Sequence, residues 1–409
     1  MKKICILTQS HLCRNPRVAK EANALSEAGY EVTILTTFAV KKLLEEDLTL
    51  INTNKIKYKG IINLIPGQAP GWSVFKNRVV KRLAEELTAR FKMESILAAG
   101  YGYRHNLHEA KAEKADLYIC HEEISTVIGC KLMEAGYRVA FDFEDWYSHA
   151  FSGPSNERRP AKLLGKYERQ ALKNGGLTYT TSMSLSKALA EFAGSKLPGV
   201  LNNVFPLAER NHNDHLHKDK KNLDAISIHW YSQTIGPDRG LEIVARALDL
   251  VPTPVELHLR GSLSGNYKEI FEALFPYNKG HKLFFHDLVP HLELISRISE
   301  HDIGLATEMY DPINRKLTIT NKIMQYLLAG IAVIASDTDG QKEVAERAGS
   351  AVFLYSQNDP QQLAHHITTL ASDHEKLDLA RKTALAISET YFCWDVQKKW
   401  LLSWIKTVI

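Results

Sequence analysis

The five-residue apolar run at 331–335, Ile-Ala-Val-Ile-Ala, constrains the fold more than any other stretch of the chain. With no polar alternation, such a strand is buried on both faces, which places it in a parallel sheet covered by helices. A helix leads into it. Thr320 suits an N-cap, Ile323, Met324, Leu327 and Leu328 recur at helical spacing, and Gly330 ends the helix. The loop that follows, residues 336–340, falls at the carboxyl end of the strand, where open α/β sheets bind ligands. Asn321 and Lys322 occupy the first turn of the helix, where free N–H groups and the helix dipole favour an anion. Position alone leaves Lys322 a solvated lysine; other residues must give it a role.

The same alternation of strand and helix runs through the chain. Strands are predicted at 4–8, 30–37, 56–65, 115–120, 138–143 and 177–181, with a helix from Pro16 to Ala28 closed by Gly29. After residue 206 comes the most polar run of the protein, 207–224, with His212, Asp214, His215 and His217 among several lysines. It reads as a solvated linker rather than a metal site, because no further ligands lie nearby. A second series of strands follows at 225–230, 255–259, 282–286, 302–306, 331–335 and 350–355. The class is therefore α/β, with domains at 1–206 and 225–390, and a length of 409 residues suits two such cores. The loop after the first strand, residues 9–17, lacks the Gly-x-Gly-x-x-Gly fingerprint, which argues against a dinucleotide-binding domain of the usual kind.

A formal charge of +4 is too small to indicate a nucleic-acid binder. Cys5, Cys13, Cys120, Cys130 and Cys393 lack metal-ligand spacing and read as reduced core thiols of a cytoplasmic protein. No apolar run is long enough to span a bilayer, so membrane contact, at the inner face, would be peripheral. Its one candidate is residues 74–92. Phe75, Val79, Leu83, Leu87 and Phe91 recur every four residues there among Lys76, Arg78, Lys81, Arg82, Arg90 and Lys92. Such a helix either packs its stripe on a core or lies on anionic headgroups. Glu85 and Glu86 interrupt the basic face and favour the core.

Polar residues gather at the ends of apolar strands. Arg14 and Arg17 flank Asn15-Pro16 after the first strand, placed to hold a phosphate or carboxylate or to pair with surface acids. Glu144, Asp145 and His149 follow strand 138–143 and are candidates for hydroxyl binding or proton transfer. In the second series the carboxyl edge of the sheet carries Ser232, Arg239, Arg260, His286, Glu308 and Lys322. A diphosphate suits this set better than a neutral ligand.

The order of these motifs resembles bacterial GT-B glycosyltransferases of the family 4-like group. The residues that carry the resemblance are Arg14-Asn-Pro-Arg-Val-Ala-Lys-Glu-Ala-Asn-Ala-Leu25, Phe141-Asp-Phe-Glu-Asp145, Asn202-Asn-Val-Phe-Pro206, Gly236-Pro-Asp-Arg-Gly240 and Asn321-Lys-Ile-Met-Gln-Tyr-Leu-Leu-Ala-Gly330. The resemblance implies two Rossmann-like domains facing across a cleft, the acceptor on the first and a UDP- or GDP-sugar on the second. It also implies that the segment 391–409 crosses back to the first domain. No cofactor or metal is implied: Arg239, Lys322, Asn321 and Ser232 would hold the diphosphate, and Gln325, Arg260, His286 and Glu308 the nucleotide and sugar. Arg14, Asn15 and Arg17 would meet the acceptor or a phosphate, and Glu144, Asp145 and His149 would serve catalysis. Similarity to this group favours retention of the anomeric configuration; an inverting route would use Asp145 or His149 as base. The implied activity is transfer to a saccharide or lipid-linked acceptor in envelope polysaccharide synthesis. Leu317 and Gln325 stand where relatives carry glutamates, and Gln233 where they carry a basic residue. Those departures leave open a weakened binding subunit, and the fold alone leaves open a nucleotide-sugar epimerase.

Overall fold

The computed structural model describes residues 1–409, the side chain of Ser155 set aside, and divides into two compact units. The first comprises Met1–Leu201 and Lys398–Ile409, the second Asn202–Gln397. Each is built on one parallel sheet, as uninterrupted apolar strands require.

In the first unit the strands are β1 (Lys3–Leu7), β2 (Glu31–Phe38), β3 (Ile56–Asn63), β4 (Leu117–His121), β5 (Val139–Phe143), β6 (Leu177–Thr180) and β7 (Gly199–Val200). Their order in the sheet is β3-β2-β1-β4-β5-β6-β7. The chain first winds outward from β1 through β2 and β3, then returns to β4 on the other side. That reversal opens a crevice at the carboxyl ends of β1 and β4. The six predicted strands are present, and β7, only two residues long, is additional.

The second unit holds β8 (Ser227–Ile235), β9 (Glu256–Leu263), β10 (Lys282–His286), β11 (Ile303–Ala306), β12 (Ala332–Ser336) and β13 (Val352–Tyr355). Their order, β10-β9-β8-β11-β12-β13, repeats the winding, with the reversal between β8 and β11. Ile228, Leu257, Leu259, Ile303, Leu305 and Ile334 form its core with Leu363 and Ile367. The helix before β12, Asn321–Ala329, is capped by Thr320, whose side chain accepts from the Lys322 N–H, and ends at Gly330 with φ of +76°. Its seat is set by Gly304 in β11: a Cβ there would lie 2.4 Å from the Tyr326 ring. The Tyr326 hydroxyl crosses that gap to donate to the His229 carbonyl at 3.0 Å. The middle of the helix is thus fixed against β8 and β11.

Two sequence expectations are corrected here. Residues 207–224 are no solvated linker. Arg210 donates to the Leu328 carbonyl at 2.8 Å and to Ser388 Oγ at 2.6 Å, Arg297 reaches Asp214, and Lys220, only 5% exposed, binds Asp302 at 2.7 Å. Polar composition signals a linker only when the charges lack partners, and these find them in the second unit. The stripe of 74–91 is the other correction, because it does not pack on the core. The helix Gly71–Phe91 buries Val74, Ala84 and Thr88 instead, leaving Trp72, Phe75, Leu83, Leu87 and Phe91 exposed. Periodicity finds a stripe but does not tell whether anything covers it.

Candidate functional site

At the reversal in the first unit, the ends of β1, β4 and β5 bring together a buried charge network. Arg17, in the helix Pro16–Glu27, is 1% exposed. It grips Asp142 through Nε and Nη2 and donates Nη1 to the Leu201 carbonyl at 2.8 Å. Glu21, one turn along the same helix, accepts from the Tyr179 hydroxyl at 2.8 Å and lies 3.3 Å from His121 Nε2. His121 Nδ1 meets Glu144 Oε1 at 2.9 Å, and Asn15 Nδ2 donates to the same oxygen at 2.7 Å. Glu144 alone of the three carboxylates reaches outward, with 16% of its side chain exposed.

Burial works against the charge on His121, yet Glu21, Glu144 and Asp142 hold its pKa well above the ordinary value. Burial likewise raises the carboxyls, but His121 and Arg17 outweigh it at Glu21 and Glu144, whose pKa values fall below the ordinary range. At Asp142 burial wins against Arg17 and His121, helped by the like charges of Glu21 and Glu144, and carries its pKa up to about 8. Glu21, His121 and Asp142 place ligand atoms within 4.8 Å of one another. The cation such a set calls for is supplied by the chain, since the Arg17 guanidinium binds Asp142 and lies 3.5 Å from Glu21.

Arg17 is therefore not an acceptor or phosphate contact; it neutralises an internal carboxylate. Arg14, three residues earlier, is exposed. Asn15 is buried against Glu144. His149 stands apart from the network, its Nδ1 2.9 Å from Ser148 Oγ and its ring 4.0 Å from Trp146 and 5.7 Å from Phe192. Burial, with Arg169 adding to it, lowers its pKa, so the ring is neutral at pH 7. Asp145 is half-buried beside Glu144 at the end of β5.

Sequence reasoning missed His121 and Glu122. Glu122 Oε2 accepts from Thr8 Oγ1 at 2.7 Å and from the N–H groups of Gln9 and Ser10 at 2.7 and 3.0 Å. It thereby holds the loop after β1 against the end of β4, in a backbone conformation (φ 66°, ψ 177°) that non-glycine residues rarely adopt. Strain of this kind concentrates at functional sites. The available signal was His121-Glu-Glu123 at the end of the apolar strand 115–120, the same pattern that marked Glu144.

In the second unit the reversal lies between β8 and β11. Thr307, just after β11, accepts from Trp230 Nε1 at 3.0 Å and donates to the Arg239 carbonyl at 2.6 Å, fixing the loop 236–240. Gly240 fits there because it has φ of +74° and abuts Thr307. Glu308 follows and accepts from Lys322 Nζ at 2.7 Å, and that ammonium lies 5.7 Å from the centre of the Trp230 ring. Burial raises the Glu308 carboxyl, but Lys322, Arg315 and Thr320 hold its pKa below the ordinary range. Lys322 is thus held by one carboxylate, with two N–H donors left over. Arg315, which the sequence reading did not single out, belongs to this group; Asn321 accepts from Asn203 Nδ2 at 3.1 Å. Gln325 is 5% exposed and accepts from the Tyr231 hydroxyl. Ser232 is half-buried at the same strand.

Arg260 and His286 are corrected as direct donor contacts. Arg260, 3% exposed, binds Asp219 and the Asp287 carbonyl, and His286 Nε2 lies 2.9 Å from His258 Nδ1. Both belong to a buried polar layer with His229 and His301, whose rings stack 4.7 Å apart.

Two parallel sheets with this winding, each gathering its polar residues at the reversal, narrow the fold to one class. Residues 228–373 match the family model described as glycosyl transferases group 1. The chain has the GT-B glycosyltransferase fold. Alr3699/HepE of Anabaena, solved in complex with UDP, shares this GT-B architecture at a TM-score of 0.68 and 16% identity, covering all of both chains. Sucrose-phosphate synthase of Thermosynechococcus elongatus gives 0.71 and 14% identity, with 100% of this chain and 99% of that one covered. A putative UDP-N-acetylglucosamine 2-epimerase of Listeria monocytogenes gives 0.58 and 14%, covering 99% and 96%. No curated protein matches the sequence. Among the described residues, no helix of this GT-B chain is long and apolar enough to cross a membrane.

Proposed function

We propose that the protein is a glycosyltransferase that moves a sugar from a UDP- or GDP-sugar to a saccharide or lipid-linked acceptor in cell-envelope polysaccharide synthesis, without a metal. The observation that carries this reading is Lys322. It stands in the first turn of a capped helix, at the reversal of the sheet in the unit that matches group 1 glycosyl transferases, held 2.7 Å from Glu308 with two donors to spare. A diphosphate bound there by Lys322, Arg239 and the N–H groups of the first turn would have its growing charge stabilised as the glycosidic bond breaks. In this reading Asn321 and Ser232 border the diphosphate, the second carboxylate oxygen of Glu308 accepts from the sugar, and Gln325 with Tyr231 lies against the nucleoside. HepE, solved with UDP and with UDP-glucose, supports the choice of ligand.

We assign the acceptor to the first unit. Glu144 contacts its hydroxyl, with Asn15 and Arg14 at the border. Retention is the preferred route because Glu144 is already bonded to two donors and held ionised, which makes it a weak base. The departing phosphate then takes the acceptor proton. Asp145 and His149 remain the bases of an inverting route, and the anomeric configuration of the product, read by NMR, separates the two. An epimerase would release an isomerised nucleotide-sugar with no acceptor present. A panel of UDP-, GDP- and CMP-sugars, assayed for nucleotide release with and without saccharide acceptors, tests the reading. Acceptor-dependent release supports it; isomerisation alone, or binding without turnover, refutes it.

A further inference from the structure

Lys322 and Arg239 leave the charge at the second unit's site unbalanced. The ammonium of Lys322 is 2.7 Å from Glu308, whose carboxyl is held ionised, so that pair is close to neutral. Arg239 alone then faces a diphosphate that is doubly charged in a nucleotide-sugar and gains a further charge as the glycosidic bond breaks. The ligand's charge exceeds what these groups supply.

Arg315 stands beside them, half-buried in the short helix Ile313–Leu317. Its Nη1 is 3.4 Å from the Asp238 carbonyl oxygen, in the loop 236–240, and 3.4 Å from that of Asp311. Both contacts are long for a hydrogen bond, and both use the same nitrogen. The guanidinium has no carboxylate partner among the described residues, and its other N–H groups are uncommitted. Nearby cations are taken up: Lys316 lies 3.5 Å from Asp339 and 5.9 Å from the centre of the Tyr310 ring, and Lys342 lies 3.9 Å from both Asp337 and Asp339. The loop that Arg315 touches is set rather than free. Thr307 holds its Arg239 carbonyl, and Asp238 has φ of +58°, a conformation that non-glycine residues rarely adopt outside functional sites. On the other side the charge of Arg315 reaches Glu308, whose carboxyl it helps to hold below the ordinary range. The guanidinium thus lies between the loop of Arg239 and the pair of Glu308 and Lys322.

We propose that Arg315 is a further catalytic residue of the donor site, whose guanidinium turns from the two carbonyls to the terminal phosphate of the nucleoside diphosphate and stabilises the charge left there when the sugar departs. The assignment rests on the transferase reading. Two long contacts to neutral carbonyls are exchanged for charge-assisted bonds to phosphate oxygens, for which a planar fork of donors is suited. In the step itself the bond from the anomeric carbon to the phosphate oxygen breaks, and its electron pair stays on that oxygen. The acceptor oxygen forms the new bond to the anomeric carbon, and its proton passes to the phosphate. Arg315 gives up no proton, since a guanidinium stays charged throughout.

The test is calorimetric titration of wild type, Arg315→Met and Arg315→Lys with UDP and UMP, or with GDP and GMP if wild type binds GDP more tightly, followed by steady-state kinetics on the matching nucleotide-sugar. The monophosphate lacks the terminal phosphate, so it reports every contact except the one assigned to Arg315. Arg315→Met is expected to bind the diphosphate at least about tenfold more weakly and the monophosphate within about twofold of wild type. Its kcat should fall by about 100-fold while KM changes by less than about fivefold, because the contact strengthens as charge develops. Arg315→Lys keeps the charge and loses the fork, and should recover part of both losses. Equal losses for monophosphate and diphosphate would make Arg315 only a brace between residues 238 and 311 and overturn the proposal, as would wild-type affinity and kcat in Arg315→Met. In both cases wild type still binds and turns over the donor, so the transferase reading stands. Failure of wild type to bind either diphosphate would remove that reading, and the assignment of Arg315 with it.

Discussion

Arg14 and Arg17 look interchangeable in the sequence, three residues apart on either side of Asn15-Pro16, and the structure gives them opposite fates. Replacing Arg17 with Met removes the guanidinium that binds Asp142 through two nitrogens and the Leu201 carbonyl through a third. Glu21, Asp142 and Glu144 would then share His121 as the cation of the network, and all but Glu144 are fully buried. Breaking one partner of a buried ion pair costs about 3–5 kcal/mol. Arg14 is exposed, and its substitution by Met should change stability by under about 0.5 kcal/mol. The assay is urea unfolding followed by hydrogen exchange of peptides from each unit, which separates the two domains. With a urea dependence of roughly 2–3 kcal/mol/M, the midpoint of the first unit should fall by about 1–2.5 M in Arg17→Met while that of the second stays put. Adding Asp142→Leu should recover part of the loss, because a paired charge replaced by apolar groups removes the desolvation cost as well. Equal small effects for Arg14→Met and Arg17→Met would refute the buried network.

In the second unit, burial together with neighbouring positive charge holds the pKa values of His229 and His301 well below the ordinary value, and that of His258 down to about 3. The unfolded chain therefore binds protons near pH 6.5 that the folded unit refuses, so stability is full above about pH 7 and falls steadily below 6.5; an acid titration of unfolding, compared with His301→Phe, should show a shallower loss in the variant. Gly340→Ala would place a Cβ 2.2 Å from the Thr318 carbonyl oxygen, a backbone atom that cannot turn aside. Destabilisation of roughly 1–3 kcal/mol is expected in thermal melts, with weaker UDP binding because Thr318 leads into the capped turn of Lys322. His149→Ala should retain acceptor-dependent turnover within about tenfold if the route is retaining, whereas a loss of 100-fold or more, in the range of a general base, would make His149 that base.

Much of the architecture could be read from the chain. The strand 331–335 and the glycine before it implied a parallel sheet flanked by helices, and the repeated alternation implied two of them, because burial on both faces leaves a local signature. The positions of Glu144 and Glu308 at strand ends were legible for the same reason, and that of Lys322 in a first helical turn from the cap and the spacing after it. What the sequence hid depends on partners far away along the chain. Arg17 finds Asp142 at 125 residues' distance, and Lys220 finds Asp302 at 82. No local pattern separates such residues from solvated ones. Arg260 and His286 misled for a related reason: they stand at strand ends but turn into a buried layer with Asp219 and His258. The helix Gly71–Phe91 was misjudged because amphipathicity gives the direction of a stripe and says nothing of what covers it.

The proposed transfer requires a diphosphate held by Lys322 and Arg239. Calorimetric titration of UDP into wild type, Lys322→Ala and Arg239→Ala tests it most directly. The expected result is saturable binding to wild type and at least about tenfold weaker binding to each variant, since each loses one charge-assisted contact. Wild-type affinity in both variants, with their folds intact, would contradict it.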